Sequence, residues 1–253
     1  DKDHYFLDSG KVVSEACYST TDAANDSSSV CSGGVASSTA TGSAEPYVGN
    51  CATYDCDHGT HVAGIAAGVH PGFSGIAPDA DIIAVQVFSR FDDNNYNYCG
   101  ASNTCALTWT TDQISGLQRV YALRSTYDIA AANMSLGGGR YYSHCDSDTR
   151  KSSIDNLASA GIATVISSGN DYYKDSTGAP GCISTAYTIG STLDNADTVS
   201  SFSNADPDIL DMWAPGSNIT SSVPTEMYGA GSPTSTWNGT SMAAPMVTGA
   251  FAV

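Results

Sequence analysis

Basic residues are scarce in this chain. Of 253 residues only 9 are lysine or arginine, against 26 acids, and glutamate is limited to Glu15, Glu45 and Glu226. The net charge of −17 argues against nucleic acid or an anionic membrane as partner, since both attract basic patches. It fits an acidic, well-solvated surface, a saline habitat or bound divalent cations. No apolar run approaches the ~20 residues that a membrane-spanning helix needs, and no secretory signal pattern is visible. Cys-x-x-Cys does not occur, and the close pairs 51/56 and 99/105 have no matching second pair, which counts against structural zinc. There is no internal repeat and no linker-like stretch, so the reading is one domain. A chain of this length buries roughly three quarters of its unfolded surface.

Cysteine itself is plentiful, at 17, 31, 51, 56, 99, 105, 145 and 182. An even number set in polar, Gly/Ser/Asn-rich stretches points to disulfides and an oxidising, extracellular compartment. Nearest-neighbour pairing would give 17–31, 51–56, 99–105 and 145–182, although sequence alone does not fix connectivity.

Periodicity sketches the elements. Leu7 ends an apolar stretch leading to Asp8, which reads as a strand terminus, and 14–56 reads as a long disulfide-tied loop region. Small apolar residues at helical spacing (Val62, Ile65, Ala66) predict a helix from His58 to Val69 opened by Asp57. Ile82, Ile83, Val85 and Val87 predict a buried strand over 80–88, followed by an Asp/Asn/Tyr/Cys-rich insertion over 89–111. Thr111-Asp112 should cap a helix running to Leu123. Strands follow at 129–135, 162–167, 188–191 and 209–213, with helices at 154–160 and from Thr240 onward. Alternating strand and helix imply a mainly parallel sheet covered by helices on both faces.

Three local motifs carry chemistry. Trp237-Asn238-Gly239-Thr240-Ser241-Met242-Ala243-Ala244-Pro245 sets one serine among small residues at a helix start, where its hydroxyl is accessible and partial positive charge is near. Upstream stand Asp57-His58-Gly59-Thr60-His61-Val62-Ala63-Gly64 and Tyr5-Phe6-Leu7-Asp8-Ser9-Gly10. Two histidines three residues apart invite a metal reading, but His-Glu-x-x-His would need Glu at 59 and His at 62, where Gly59 and Val62 stand. His4, His70 and His144 lie in no such setting and read as ordinary surface residues. Further landmarks are Asn133-Met134-Ser135-Leu136-Gly137-Gly138, Ser167-Ser168-Gly169-Asn170 and Ser201-Phe202-Ser203-Asn204.

With these motifs in this order, the chain resembles the subtilisin-like serine protease family, in particular its proteinase K and bacterial extracellular branches. Asp, His, Ser is the chain order known for subtilisin. The resemblance implies an α/β three-layer sandwich and an acyl-enzyme mechanism with Ser241 as nucleophile, His58 as acid/base and Asp8 as the orienting carboxylate. It makes His61 a structural partner and Asn170 the oxyanion donor. It also implies that Ser135, Leu136, Gly137 and Gly138 bind substrate backbone, while Ser167, Ser168 and Gly169 line the first specificity pocket. Asp171 would favour basic side chains if it faced inward. A structural calcium site is implied at Asp211, with carbonyls near Ser184 and Ala186, and Asp92-Asp93-Asn94-Asn95 is a second candidate. Measured against the family, the chain is short at both ends, so the expectation is an excerpt of a longer polypeptide with a propeptide or flanking domains. The substrate expected is extended polypeptide and the location extracellular. Two rival readings are a silent structural or adhesive module of a surface assembly, and transpeptidation from the same acyl-enzyme.

Overall fold

The computed structural model describes residues 1–7, 10–45, 56–195, 197–228 and 233–253. In its first half the chain forms β1 (Val12–Tyr18), β2 (Ser27–Ser29), β3 (Ser37–Ser38), α1 (His58–Ala67), β4 (Ile82–Gln86), β5 (Phe88–Asp92), β6 (Thr104–Thr108) and α2 (Thr110–Leu123). Next come β7 (Ala131–Met134), β8 (Gly138–Tyr141), α3 (Lys151–Ser159), β9 (Ala163–Ser167), β10 (Thr177–Ala179) and β11 (Tyr187–Thr192). β12 (Met212–Pro215), β13 (Ile219–Ser222), a one-turn helix at Thr225–Tyr228, β14 (Thr234–Trp237) and α4 (Thr240–Ala250) follow.

Short apolar runs bounded by Gly and polar residues become the parallel strands of one sheet, in the order β12-β11-β9-β7. A second sheet pairs β4 parallel to β1, with β3 antiparallel on the far side. Helices cover both sheets. α1 and α4 pack together on one face, α1 touching β4 and α4 crossing β7, β9, β11 and β12. On the other face α2 packs on β1, β4 and α3, and α3 packs on β9. The main core lies between that helix pair and the sheet, with Ile154 and Leu157 of α3, Ile166 of β9 and Ile183 essentially inaccessible. The expected α/β architecture, with a mainly parallel sheet between helices, is what the chain forms.

Several local expectations are corrected. The 14–56 region is not all loop: β1 joins the sheet, because Ala16 and Cys17 turn inward and a main-chain ladder to β4 outweighs the weak local pattern. Residues 5–7 form turns rather than a strand. The insertion after β4 folds as the antiparallel sheet β2-β5-β6. Neither expected cap forms. Asp57 accepts a hydrogen bond from the Tyr228 hydroxyl instead. Asp112 accepts from the Thr20 amide and hydroxyl, both at 2.9 Å, tying α2 to the end of β1. His4, expected at the surface, is fully buried, its Nδ1 accepting from the Phe6 amide at 3.1 Å. β4, expected to be buried, is half-buried throughout, because it lies at the edge of its sheet among the described residues.

Three disulfides follow the nearest-neighbour expectation: Cys17–Cys31, Cys99–Cys105 and Cys145–Cys182. The expected 51–56 pair includes Cys51, which lies outside the described residues.

Candidate active site

Ser241 is the second residue of α4, whose first amides have no intrahelical partner and face outward as donors. Four residues on, Pro245 sits inside the helix and has no N–H to offer the Ser241 carbonyl. The Ser135 hydroxyl fills that vacancy, donating to the Ser241 carbonyl at 2.8 Å. Ser135 accepts in turn from the Asn133 side chain at 2.9 Å, and Asn133 accepts from the Thr248 hydroxyl at 3.0 Å. The expected substrate segment is thereby tied to the helix that carries the nucleophile.

Asn170 reaches the same helix from the loop after β9. Its Oδ1 accepts from both the amide and the hydroxyl of Thr240, each at 2.9 Å. These bonds fix the amide orientation, because an N–H can donate only to the oxygen. Nδ2 is therefore the end turned toward Gly239, where a Cβ would lie 3.5 Å from Asn170 Nδ2 and 3.6 Å from the Ser241 nitrogen. Two donors thus border one small space that glycine leaves open.

The loop bearing Asn170 is held by Asn204, which the sequence marked only as a landmark. Fully buried, Asn204 accepts from the amides of Asp171 and Tyr173 at 2.8 and 3.2 Å. It donates to the Ser168 carbonyl at 3.2 Å and to the Asp171 carboxylate at 3.1 Å. Asp171 is thus engaged with its own loop. Gly169 passes so close that a Cβ would sit 2.3 Å from Asn204 Nδ2, and its φ of +107° is one that L side chains rarely adopt. Ser168, expected in the specificity pocket, is fully buried and spends its hydroxyl on the Asn204 carbonyl at 2.8 Å, while Ser167 is also buried. Nothing local in the sequence singles out Asn204: its burial and its saturated hydrogen bonds emerge only in the fold.

His58 opens α1, which packs against α4. The β13–β14 hairpin clamps α1 in place: Ser221 and Ser222 donate their hydroxyls to the His61 and Thr60 carbonyls at 2.8 and 2.9 Å. Trp237, four residues before Ser241, lies nearly parallel to both imidazoles, at 6.4 Å from His58 and 4.2 Å from His61. His61 is fully buried and its Nε2 lies 3.0 Å from the Ser235 carbonyl, so Nε2 carries the proton, while Nδ1 makes no hydrogen bond among the described residues. Burial pushes its pKa down to about 4, with the neighbouring His58 adding to the effect against the Ser235 hydrogen bond. It therefore stays neutral and structural. Asp8 lies outside the described residues.

Beyond Ser135, the segment Leu136–Gly138 leads into β8, which among the described residues pairs on one side, with β10, and exposes Gly137 and Gly138. At the expected calcium position the Asp211 carboxylate accepts from the Thr188 amide at 2.7 Å. Ser184 is bonded to Asp146 by its amide and hydroxyl, at 2.9 and 2.7 Å, and Ala186 is buried. One carboxylate supplies only part of the six to eight oxygens calcium takes, so the carbonyls near Ser184 and Ala186 and water would have to supply the rest. In the acidic loop, Asp92 accepts from Arg90 and Thr104 and Asp93 from the Tyr98 and Cys99 amides. Among the described residues no group of three or more His, Cys, Asp or Glu is placed to hold a metal.

A family model described as the subtilase family, peptidase S8, matches residues 17–253. The chain belongs to the subtilase family. This subtilase is 33% identical over 201 residues to subtilisin E of Bacillus subtilis (strain 168), covering 78% of this chain and 45% of that protein. An extracellular serine proteinase of Thermus sp. (strain Rt41A) is 34% identical over 200 residues, covering 79% of this chain and 41% of its own. The subtilase thus spans about half the length of these relatives. Among solved structures, a cold-adapted subtilisin-like serine proteinase superposes with a TM-score of 0.56 at 30% identity, covering 76% of this chain and 58% of that one. His58, Asn170 and Ser241 fall inside the family match, whereas Asp8 precedes it.

Proposed function

We propose that residues 1–253 of this subtilase form one peptidase domain of a secreted serine endopeptidase. Ser241 Oγ attacks the scissile carbonyl while His58 takes its proton and returns it to the leaving amine. Asp8 orients the imidazole and stabilises its charged form. The oxyanion that develops is held by Asn170 Nδ2 and the Ser241 amide, and water then repeats the sequence to release the acyl group. Substrate lies extended along the open side of β8, with Leu136, Gly137 and Gly138 offering main-chain partners and little side-chain obstruction. Ser167, Ser168 and Gly169 contribute backbone to the first specificity pocket. Secretion is supported by three disulfides and by the extracellular relative in Thermus.

The observation that carries this reading is the convergence of Asn170 Nδ2 and the Ser241 amide on the space above Gly239. Labelling with a fluorophosphonate, followed by mass mapping, tests it. Stoichiometric modification of Ser241 that vanishes in His58→Ala is expected. Replacement Ser241→Ala should lower turnover by about 10⁶-fold, the size known for subtilisin itself. A folded sample that takes no label would favour a silent structural module instead.

A further inference from the structure

The strand that follows the expected substrate segment carries an irregularity. β8 pairs with β10 at Gly138↔Ala179 and again at Tyr141↔Thr177, so three steps along β8 match two along β10. The extra residue is taken up at Gly139-Arg140, where Gly139 adopts a φ of +75°. A bulge of this kind bends its strand and re-aims a side chain. Here the side chain is Arg140, and it lies over the loop that follows Asn170. Its guanidinium carbon stands 4.1 Å from the centre of the Tyr173 ring and 4.9 Å from that of Tyr142. Its Nε donates to the Ser176 hydroxyl at 3.0 Å, and its Nη2 to the Asp175 carboxylate at 2.8 Å.

We propose that Arg140 is a positioning residue for the oxyanion donor: it clamps the 170–176 loop to β8 and so holds Asn170 in place. The inference rests on the endopeptidase reading above. The path from Arg140 to Asn170 is short and continuous. Beneath the stacked guanidinium, the Tyr173 amide donates to Asn204 Oδ1 at 3.2 Å. The same oxygen takes the Asp171 amide at 2.8 Å, and Asp171 is joined directly to Asn170. A Tyr173 free to swing would loosen that shared acceptor, and with it the end of the loop that aims Asn170 Nδ2. Three contacts of Arg140 contribute, and exposure ranks them. The side chains of Arg140 and Asp175 are 39% and 59% exposed, a setting in which an ion pair adds little. Ser176 is fully buried, so the Nε bond to its hydroxyl is shielded from water. A planar guanidinium also stacks on an aromatic face as the ammonium of lysine does not. The clamp is therefore the flat, forked shape of arginine and not its charge.

Three variants of the 253-residue chain carry the test: Arg140→Ala, Arg140→Lys and Asp175→Asn. Hydrogen exchange at the Asp171 and Tyr173 amides is read in each, with the amides of β9 as internal reference. It requires no activity, so it separates the clamp from the endopeptidase reading. Exchange at least ten-fold faster is expected in Arg140→Ala and in Arg140→Lys, with Asp175→Asn within two-fold of the wild type and the reference unchanged. Wild-type exchange in Arg140→Ala would overturn the proposal, and so would restoration by lysine, which would assign the tie to charge. Fluorophosphonate labelling and hydrolysis of an extended peptide anilide then read the consequence at the site. Arg140→Ala should label Ser241 to full stoichiometry but about ten-fold more slowly, with kcat down about ten-fold and KM within two-fold, because the oxyanion donor acts in the transition state. A smaller labelled fraction at the wild-type rate, or a raised KM at unchanged kcat, would overturn the positioning role. A wild type that takes no label overturns the endopeptidase reading and this role with it, while the exchange result alone still decides whether Arg140 holds the loop.

Discussion

His61 couples the stability of this protein to pH in a window that its surroundings define. Unfolded, the imidazole titrates near its ordinary 6.5, whereas in the fold burial holds it at about 4. Protonation in the folded state would place a charge in a buried setting and a second N–H on Nδ1, which makes no hydrogen bond among the described residues, while Nε2 is already committed to Ser235. Above pH 6.5 both states are neutral and nothing is lost. As pH falls below that value the unfolded chain takes up a proton that the folded one refuses, so stability drops by about 1.4 kcal/mol per unit. The fall ends near pH 4, where the folded state is protonated as well. The whole window is worth about 3 kcal/mol, a sizeable share of the ~5–15 kcal/mol that holds a typical protein together. Urea unfolding of the wild type and of His61→Gln, each from pH 7.5 to 3.5, isolates the effect. The variant will be less stable at neutral pH because it loses the stack on Trp237, but its profile should lack this component. The difference between the two curves should shrink by about 3 kcal/mol from pH 6.5 to 4. Parallel profiles, or a His61 ring titrating above pH 6 by NMR, would refute the argument.

Other consequences are as direct. Gly239→Ala adds a methyl at ordinary contact distance from Asn170 Nδ2 and the Ser241 nitrogen, so the fold should survive while kcat drops by about 10²–10³-fold, the loss known in subtilisin for one oxyanion donor; steady-state kinetics on an extended peptide with a melting curve will separate the two effects. Ser135→Ala leaves the Ser241 carbonyl without its donor, and should cost about 1–3 kcal/mol in chemical denaturation together with a lower rate of fluorophosphonate labelling. Arg150 is buried and bonds to both Asp148 and Gln113, so Arg150→Ala should cost about 3–5 kcal/mol and lower the calorimetric Tm by about 10 °C. The Arg150 guanidinium holds the Asp148 carboxyl below its usual range, so in the wild type this contribution persists above pH 4 and disappears only as pH falls through that lowered value.

What could be read from the sequence divides along a physical line. β9, α3 and α4 were legible because apolar runs or helical spacing coincide with their burial. The Ser241 and Asn170 motifs were legible because small residues around each leave backbone and side chain little freedom. β1 escaped because Ser14 and Glu15 interrupt its apolar character, and only the ladder to β4 makes it a strand. The caps expected at Asp57 and Asp112 failed for a related reason: each carboxylate has a partner far along the chain, Tyr228 in one case and Thr20 in the other. The half-burial of β4 was invisible because exposure depends on which strand lies beside it. Asn204 was missed as well, since nothing local distinguishes an asparagine that satisfies four groups from one in an ordinary turn.

The cysteine rings have a meaning for survival as well as stability. If the proposed endopeptidase activity holds, the protein meets its own loops at every collision, and a loop is cut only if it can straighten across the site. The ring closed by Cys99–Cys105 holds its ends 5.4 Å apart, with a sequence separation of 6, whereas the same stretch drawn out fully would span about 20 Å. It cannot be presented to another copy as a strand. The ring of separation 14 closed by Cys17–Cys31 restrains a second loop in the same way, but the ring of separation 37 closed by Cys145–Cys182 is wide enough to let an inner stretch unroll. Self-digestion under oxidising conditions should therefore begin in unbridged loops, and reduction should open the 99–105 turn as a new cut site.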